Sequence, residues 1–257
     1  MAVLIDPPRV EAHGRRWSHL VSDTSLAELH AFARRVGIPA RGFEGDHYDV
    51  PEERYAAVVA AGAEPTDARE LLRRLVASGL RMQKRRGDKG VARVTGVRLP
   101  GVVVDVDLIR SPRDATPDRV FAALVLVHDA AGDLAVVRSV WRDEWGAPGG
   151  GREAGESVRE NAVREVHEET GLFLDPAALR PVGYERFRAV EGEGPWTRGT
   201  DLLQLFETHL ASVRPALSSA HDDTSDRRWV TKPELQSLCG TTFWWPLVDA
   251  VLSRPAG

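Results

Sequence analysis

The second half of the chain carries two interleaved apolar periods. Residues 120–128 and 134–138 are short, nearly unbroken apolar runs separated by a turn at 130–133, the pattern of buried strands. Val158, Ala162, Val163 and Val166 then recur at helical spacing, which places them on one face of a helix. Strand-like runs return at 182–190, 202–209 and 227–230, and a closing helix is expected at 243–253. Strands, one central helix, more strands and a last helix predict an α/β fold in which a mixed sheet is sandwiched between helices.

Residues 1–90 are organised differently. An apolar strand at 2–5 is stopped by Asp6-Pro7-Pro8, because proline cannot donate to a sheet ladder. A helix is expected over 25–36, with Ser25 and Glu28 as its capping box, Leu26, Leu29, Phe32 and Ala33 on one face, and Gly37 as its stop. Helices at 51–61 and 67–78, the latter closed by Gly79, and a second strand near 40–43 complete a small α/β unit. Residues 91–109, rich in Val and Gly, hold two candidate strands, and a loop at 111–117 follows. The expected organisation is a small α/β domain at 1–90, a linker or joining strands at 91–117, and a larger domain at 118–257. W-S-H-L from Trp17, L-H-A-F-A from Leu29 and D-H-Y-D-V from Asp46 resemble a small bacterial and phage domain of unknown function. That resemblance implies a boundary near residue 90 and no chemistry.

Composition adds limits. At 257 residues and 42% hydrophobic, the chain can build two cores of ordinary size. Its longest apolar run, 120–127, is far too short to cross a bilayer, and no basic segment followed by an apolar stretch and cleavage site stands at the N-terminus. A cytoplasmic protein with no membrane partner is expected. The single cysteine, Cys239, excludes an internal disulfide and fits a reducing compartment. Of the 34 basic and 38 acidic residues, 17 and 13 lie in 1–100, a net +4, so the remainder is net −8. The +4 is too small to argue for nucleic acid, and the basic run Arg81, Lys84, Arg85, Arg86 and Lys89 has no aromatic platform beside it.

The acidic half contains Glu165, Glu168 and Glu169 within five residues of the expected helix. At roughly 100° per residue they share an arc of about 100°. Like charges packed so closely repel, and hard oxygen ligands on one rigid element suit Mg²⁺ or Mn²⁺. Ser157 with Glu160 forms a capping box and Gly171 a left-handed stop, which bounds the helix. Before it, Pro148-Gly149-Gly150-Gly151 removes side-chain bulk where a loop backbone would approach a ligand or metal.

Gly150, Glu156, Arg164, Glu165, Val166, Glu168, Glu169, Gly171 and Leu172 match G-x5-E-x7-R-E-U-x-E-E-x-G-U, with U apolar, at every fixed position. The chain therefore resembles a Nudix hydrolase. The resemblance implies an α/β/α sandwich, a Mg²⁺ (or Mn²⁺) cofactor, and water attack on phosphorus in a nucleoside di- or triphosphate or a related nucleotide derivative. It implies that Glu165, Glu168 and Glu169 bind the metal, that Glu156 and Gly150 support the metal network, and that Arg164 orients a glutamate rather than touching substrate. Ala147 departs from the larger apolar residue many relatives carry there, which alters the nearby pocket. The general base stays open among a box glutamate, Glu207, Asp222, Asp223 and Asp226, and His167 and His221 receive no role. Outside the box, Trp141, Trp145, Trp196, Phe187 and Tyr184 are candidates for stacking on a base, and Arg138, Arg142, Arg186 and Arg188 for phosphate contacts. The expected partner is a nucleotide-type small molecule, with a homodimer left open.

A second cluster lies near the N-terminus, where His13, His19, His30 and His47 accompany Asp6, Asp23, Asp46 and Asp49. Asp6 follows the first strand and Asp46-His47-Tyr48-Asp49 the expected second one, and ligand sites in open α/β sheets gather beyond the carboxyl ends of strands. Asp6, Asp46, His47 and Asp49 are thus a candidate polar or metal site. The alternative is that Asp49 caps the next helix while the histidines and Tyr48 hold loops. Two other functions stay open: a nucleotide sensor without turnover whose basic N-terminal half contacts nucleic acid or protein, and a bifunctional enzyme with a metal-dependent, nuclease-like N-terminal domain.

Overall fold

In the computed structural model of the chain, which describes residues 2–140, 143–194, 196, 198–218 and 224–253, the proline pair ends β1 (Val3–Ile5) as expected. The chain divides into two compact units, Met1–Ala92 and Arg93–Gly257, and the division falls inside one strand.

The first unit continues with β2 (Val10–Ala12), β3 (Arg15–Ser22), α1 (Leu26–Arg35), β4 (Tyr48–Pro51), α2 (Glu52–Ala60), β5 (Glu64–Pro65) and α3 (Ala68–Ala77). The sheet order is β2-β3-β1-β5, with β4 on the other side of β3. Alternation sends Val3 and Ile5 into a core with Leu29, Phe32, Val50 and Val58, while Leu4 and Val21 pack with Leu71 and Leu75 of α3. Helices thus cover both sheet faces.

Three local expectations are corrected here. Residues 40–43 form no strand: Ala40–Gly42 is a 3₁₀ turn and Phe43 makes one bridge to Tyr48. Asp49 is not a helix cap but a strand residue, and Pro51 stands at the start of α2. The box at Ser25 is relayed: Ser25 Oγ accepts the Glu28 N–H at 3.1 Å, but the Ser25 N–H donates to Ser22 Oγ at 3.0 Å, and Ser22 Oγ donates to Glu28 Oε2 at 2.5 Å.

The second sheet is formed by β6 (Lys89–Leu99), β7 (Val102–Arg110), β8 (Val120–His128), β9 (Leu134–Ser139), β10 (Trp145–Gly146), β11 (Gly149–Gly151), β12 (Arg180–Gly192), β13 (Leu202–His209) and β14 (Thr224–Val230). Helix α4 (Val158–Thr170) follows β11, and α5 (Lys232–Cys239) and α6 (Trp245–Leu252) close the chain. The path β10-β9-β8-β13-β12-β7-β6 is mixed: β8 and β13 run parallel, whereas β10 with β9, β9 with β8, β13 with β12 and β12 with β7 run antiparallel. Residues 149–151, expected as a loop, pair as a strand with Ala122, Ala123 and Leu124 of β8.

Helices lie on both faces of this sheet. Ala162 and Val166 of α4 share a core with Ala123, Val125 and Phe206. Leu247 of α6 lies over Gly183, which is paired through Leu205 to Leu124, a residue of the alternate face. This is the α/β/α sandwich expected from the sequence. Among the described residues no helix is long and apolar enough to cross a membrane.

Candidate active site

Helix α4 is fixed at both ends by its own sequence. Ser157 Oγ accepts the Glu160 N–H at 3.2 Å and Glu160 Oε2 accepts the Ser157 N–H at 2.7 Å, so two amides at the helix start are satisfied reciprocally. Gly171 ends it at φ 71°, and a Cβ there would lie 2.1 Å from Ser218 Oγ. With Ala162 and Val166 buried, Glu165, Glu168 and Glu169 are left on the polar side of the helix.

Arg164 gathers the carboxylates. Its Nε donates to Glu156 Oε1 at 2.6 Å, and one terminal nitrogen donates to both Glu165 Oε1 at 3.0 Å and Glu168 Oε2 at 2.9 Å. The other terminal nitrogen reaches Glu156 Oε2 at 3.2 Å and the Gly151 carbonyl at 3.0 Å. Glu169 Oε2 accepts the Gly149 N–H at 2.8 Å, and Asn161 Nδ2 donates to the Gly151 carbonyl at 2.9 Å, so the glycine strand β11 is tied to the helix. Gly149 adopts φ 144°, and a Cβ on it would meet the Ala123 carbonyl at 2.2 Å. The structure thus brings together Gly150, Glu156, Arg164, Glu165, Glu168 and Glu169.

Electrostatics separates these acids. Burial pushes the Glu165 carboxyl above its usual range despite the neighbouring Arg164. The Arg164 hydrogen bond holds Glu156 below it, and the same bond raises Arg164 further.

The residues proposed for substrate contacts are differently placed. Tyr184 and Phe187 are buried in the sheet, as aromatics on strands usually are. Trp196 stacks on Phe121 with ring centroids 5.2 Å apart, and the Arg228 guanidinium lies 4.3 Å over the Trp145 ring. Arg138 pairs with Asp143 at 2.7 Å, Arg186 with Asp201 at 3.0 Å, and Arg188 with Asp105. Glu207 accepts from Arg180 at 3.0 Å, and one of its carboxylate oxygens lies within 4.8 Å of a ring nitrogen of His128 and of His209. Asp226 accepts the Arg227 N–H. The His167 ring packs 4.1 Å from that of Phe173. Trp141, Arg142, His221, Asp222 and Asp223 lie outside the described residues.

In the N-terminal cluster Asp6, Asp46 and Asp49 gather on His19 and His47, whereas Asp23 lies apart, bonded to the Ala2 N–H and Arg74. Asp6 Oδ2 lies 2.9 Å from His19 Nδ1, and Asp46 Oδ1 2.5 Å from His47 Nδ1. His47 Nε2 is 3.5 Å from Asp49 Oδ1. Burial opposes the charge on His47, but Asp46 and Asp49 raise its pKa to about 9. His19 could have been found by assigning β3, whose alternation is obscured by the buried Ser18 and Ser22.

Residues 118–249 match the family model described as the NUDIX domain, just over half of the chain, and they contain the whole glutamate helix and β11. The chain belongs to the Nudix family. Residues 3–78 match a model described as a protein of unknown function, DUF4031. Among curated relatives, the chain is 30% identical over 135 residues to a Mycobacterium tuberculosis protein named putative 8-oxo-dGTP diphosphatase 3, covering 51% of this chain and 52% of that one. It is 28% identical over 106 residues to the nucleoside triphosphatase NudI of an Enterobacter species, covering 41% and 74%. The chain therefore spans about half the length of the Mycobacterium tuberculosis relative. A solved structure of the Bacillus subtilis pyrophosphohydrolase BsRppH is similar at 20% identity and a TM-score of 0.38, over 49% of this chain and 72% of that one.

Proposed function

We propose that the chain is a Mg²⁺- or Mn²⁺-dependent pyrophosphohydrolase that cleaves a nucleoside di- or triphosphate or a related nucleotide derivative by water attack on phosphorus. The observation that carries this reading is the convergence of Glu165 and Glu168 on a single Arg164 nitrogen, beside a glycine whose missing side chain leaves the Glu165 carboxylate its space. An all-oxygen donor set of glutamates on one helix fits a hard divalent cation. Glu165, Glu168 and Glu169 would hold it, with the Gly150 backbone alongside. When bound, such an ion neutralises charge on phosphate oxygens and makes a coordinated water acidic.

The chain's own residues do the rest. Arg164 fixes Glu156, Glu165 and Glu168 in place before substrate arrives, so little reorganisation is needed in the transition state. The Gly149 N–H orients Glu169 in the same way. The proton of the attacking water passes to a carboxylate, a box glutamate or one of Glu207, Asp222, Asp223 and Asp226. The names of the curated relatives support a nucleoside triphosphate as the first substrate class to try.

The test is release of phosphate or pyrophosphate from a panel of nucleoside triphosphates, oxidised nucleotides, nucleotide sugars and dinucleotides. Turnover that requires added Mg²⁺ and stops with chelator supports the reading and names the substrate class. Nucleotide binding with no turnover on any member would overturn it in favour of a sensor.

A further inference from the structure

We propose that the N-terminal unit has a metal site of its own, separate from the Nudix carboxylates, in which His19, His47 and Asp49 hold one divalent transition-metal ion and Asp6 and Asp46 orient the two imidazoles. His19 of β3 and Asp49 of β4 are directly opposed in the sheet register, which puts their side chains on the same face. His47 immediately precedes β4, and its ring meets that of His19 edge to face at 5.2 Å between centroids. One potential ligand atom from each of His19, His47 and Asp49 lies within 4.8 Å of the others.

The second layer decides which nitrogens are presented. Asp6 and Asp46, only 4% and 0% exposed, sit on the Nδ1 atoms of His19 and His47. Each carboxylate is itself anchored by a backbone amide: Asp6 Oδ1 accepts the His19 N–H at 2.5 Å and Asp46 Oδ2 the Met82 N–H at 2.7 Å. A carboxylate on Nδ1 sets the tautomer that offers the Nε2 lone pair, which is how metal-binding histidines are held. His47 Nε2 stands 3.5 Å from Asp49 Oδ1. Two ligands of a tetrahedral zinc ion are roughly 3.3 Å apart, so the pair is already spaced for shared coordination.

Charge and exposure agree. Asp6, Asp46 and Asp49 bring three negative charges, Arg81 returns one at 3.3 Å from Asp46, and Lys84 is paired with Glu44 at 3.1 Å. Metal ligation through His47 Nε2 releases the proton that ring otherwise carries, and a divalent cation then balances the remaining two. Two imidazoles with one carboxylate favour Zn²⁺, Fe²⁺ or Mn²⁺ over Mg²⁺ or Ca²⁺, which prefer all-oxygen sets. The side chains of His19 and Asp49 are 33% and 40% exposed, so a site with three protein ligands would keep an open position toward solvent.

The experiment uses the full chain, stripped with chelator, then equilibrated with Zn²⁺ in excess Mg²⁺ that occupies the Nudix glutamates. Bound zinc is measured by mass spectrometry, and Co²⁺ substitution reports imidazole ligation by visible absorption. One equivalent of zinc is expected in the wild type and in Glu168→Gln. It should be lost in Asp49→Ala and His19→Gln, with circular dichroism unchanged, and held about 10–100-fold more weakly in Asp6→Asn. Asp49→Ala removes only a half-exposed side chain, so it decides the matter even if His19→Gln unfolds. Absence of a zinc equivalent, or one indifferent to Asp49→Ala, would show the cluster to be an ion-pair network and overturn the proposal.

Discussion

The carboxylate of Glu165 fills the space that a side chain on Gly150 would need. A Cβ at position 150 would fall 2.6 Å from Glu165 Oε2 and 2.7 Å from its Cδ, too close for either to stay. Gly150→Ala should therefore displace Glu165 while the β11 pairing to Ala123 persists. Turnover should fall roughly 10–100-fold, as for losses that misplace a metal ligand, and the Mg²⁺ concentration for half-maximal rate should rise. Unchanged Mg²⁺ dependence in a folded Gly150→Ala protein would contradict the role given to this glycine.

Arg164 holds three glutamates with geometry that only a planar, forked cation can supply. Arg164→Ala should lower kcat/KM by about 10–100-fold. Arg164→Lys should recover little of it, because a single ammonium cannot span Glu156 and the Glu165–Glu168 pair together. Steady-state kinetics of both variants checks this, and full activity in Arg164→Lys would show that charge alone suffices.

Ser22 is fully buried, and its hydroxyl accepts the N–H groups of Thr24 and Ser25 at 2.9 and 3.0 Å while donating to Glu28. Ser22→Ala removes all three bonds at the start of α1. A loss of about 1–2 kcal/mol is expected, read as a lower urea midpoint of the N-terminal transition at constant slope. Nudix turnover under native conditions should not change.

Asp23 predicts an acid-sensitive step. Burial disfavours its charge, but the Ala2 N–H, Arg74 and Thr24 bring its pKa down from 3.8 to about 2. A folded pKa below the unfolded one gives stability that is present above about 3.8 and lost as pH falls through about 2. Asp23→Asn should thus lower the thermal midpoint near neutral pH, and the gap from wild type should shrink over that acid window. A gap constant across the window would refute the linkage.

Much of the Nudix half was legible because its elements are specified locally. The ends of α4 follow from Ser157, Glu160 and Gly171, β8 from a nearly unbroken apolar run, and β13 from Leu202, Leu203, Leu205 and Phe206, an apolar stretch interrupted by Gln204. Strand β11 was hidden because three glycines carry no pattern; only their pairing to β8 makes them a strand. Helix α5 was missed although Thr231, Pro233 and Glu234 spell a capping box with proline in the first turn. In the N-terminal unit, Asp49 next to a helix reads as a cap, yet β4 pairing turns it toward His19. The box predicted which glutamates cluster, whereas Arg164 serving Glu165 and Glu168 from one nitrogen required coordinates.

The central claim is tested most directly by comparing wild type with Glu168→Gln in Mg²⁺-dependent hydrolysis of the best nucleotide from the panel. Gln is nearly isosteric, so it removes the charge and leaves the packing. The account predicts a loss of roughly two to three orders of magnitude in kcat, with nucleotide binding and thermal midpoint nearly unchanged. A Glu168→Gln enzyme that turns over at the wild-type rate with the same Mg²⁺ requirement would contradict it.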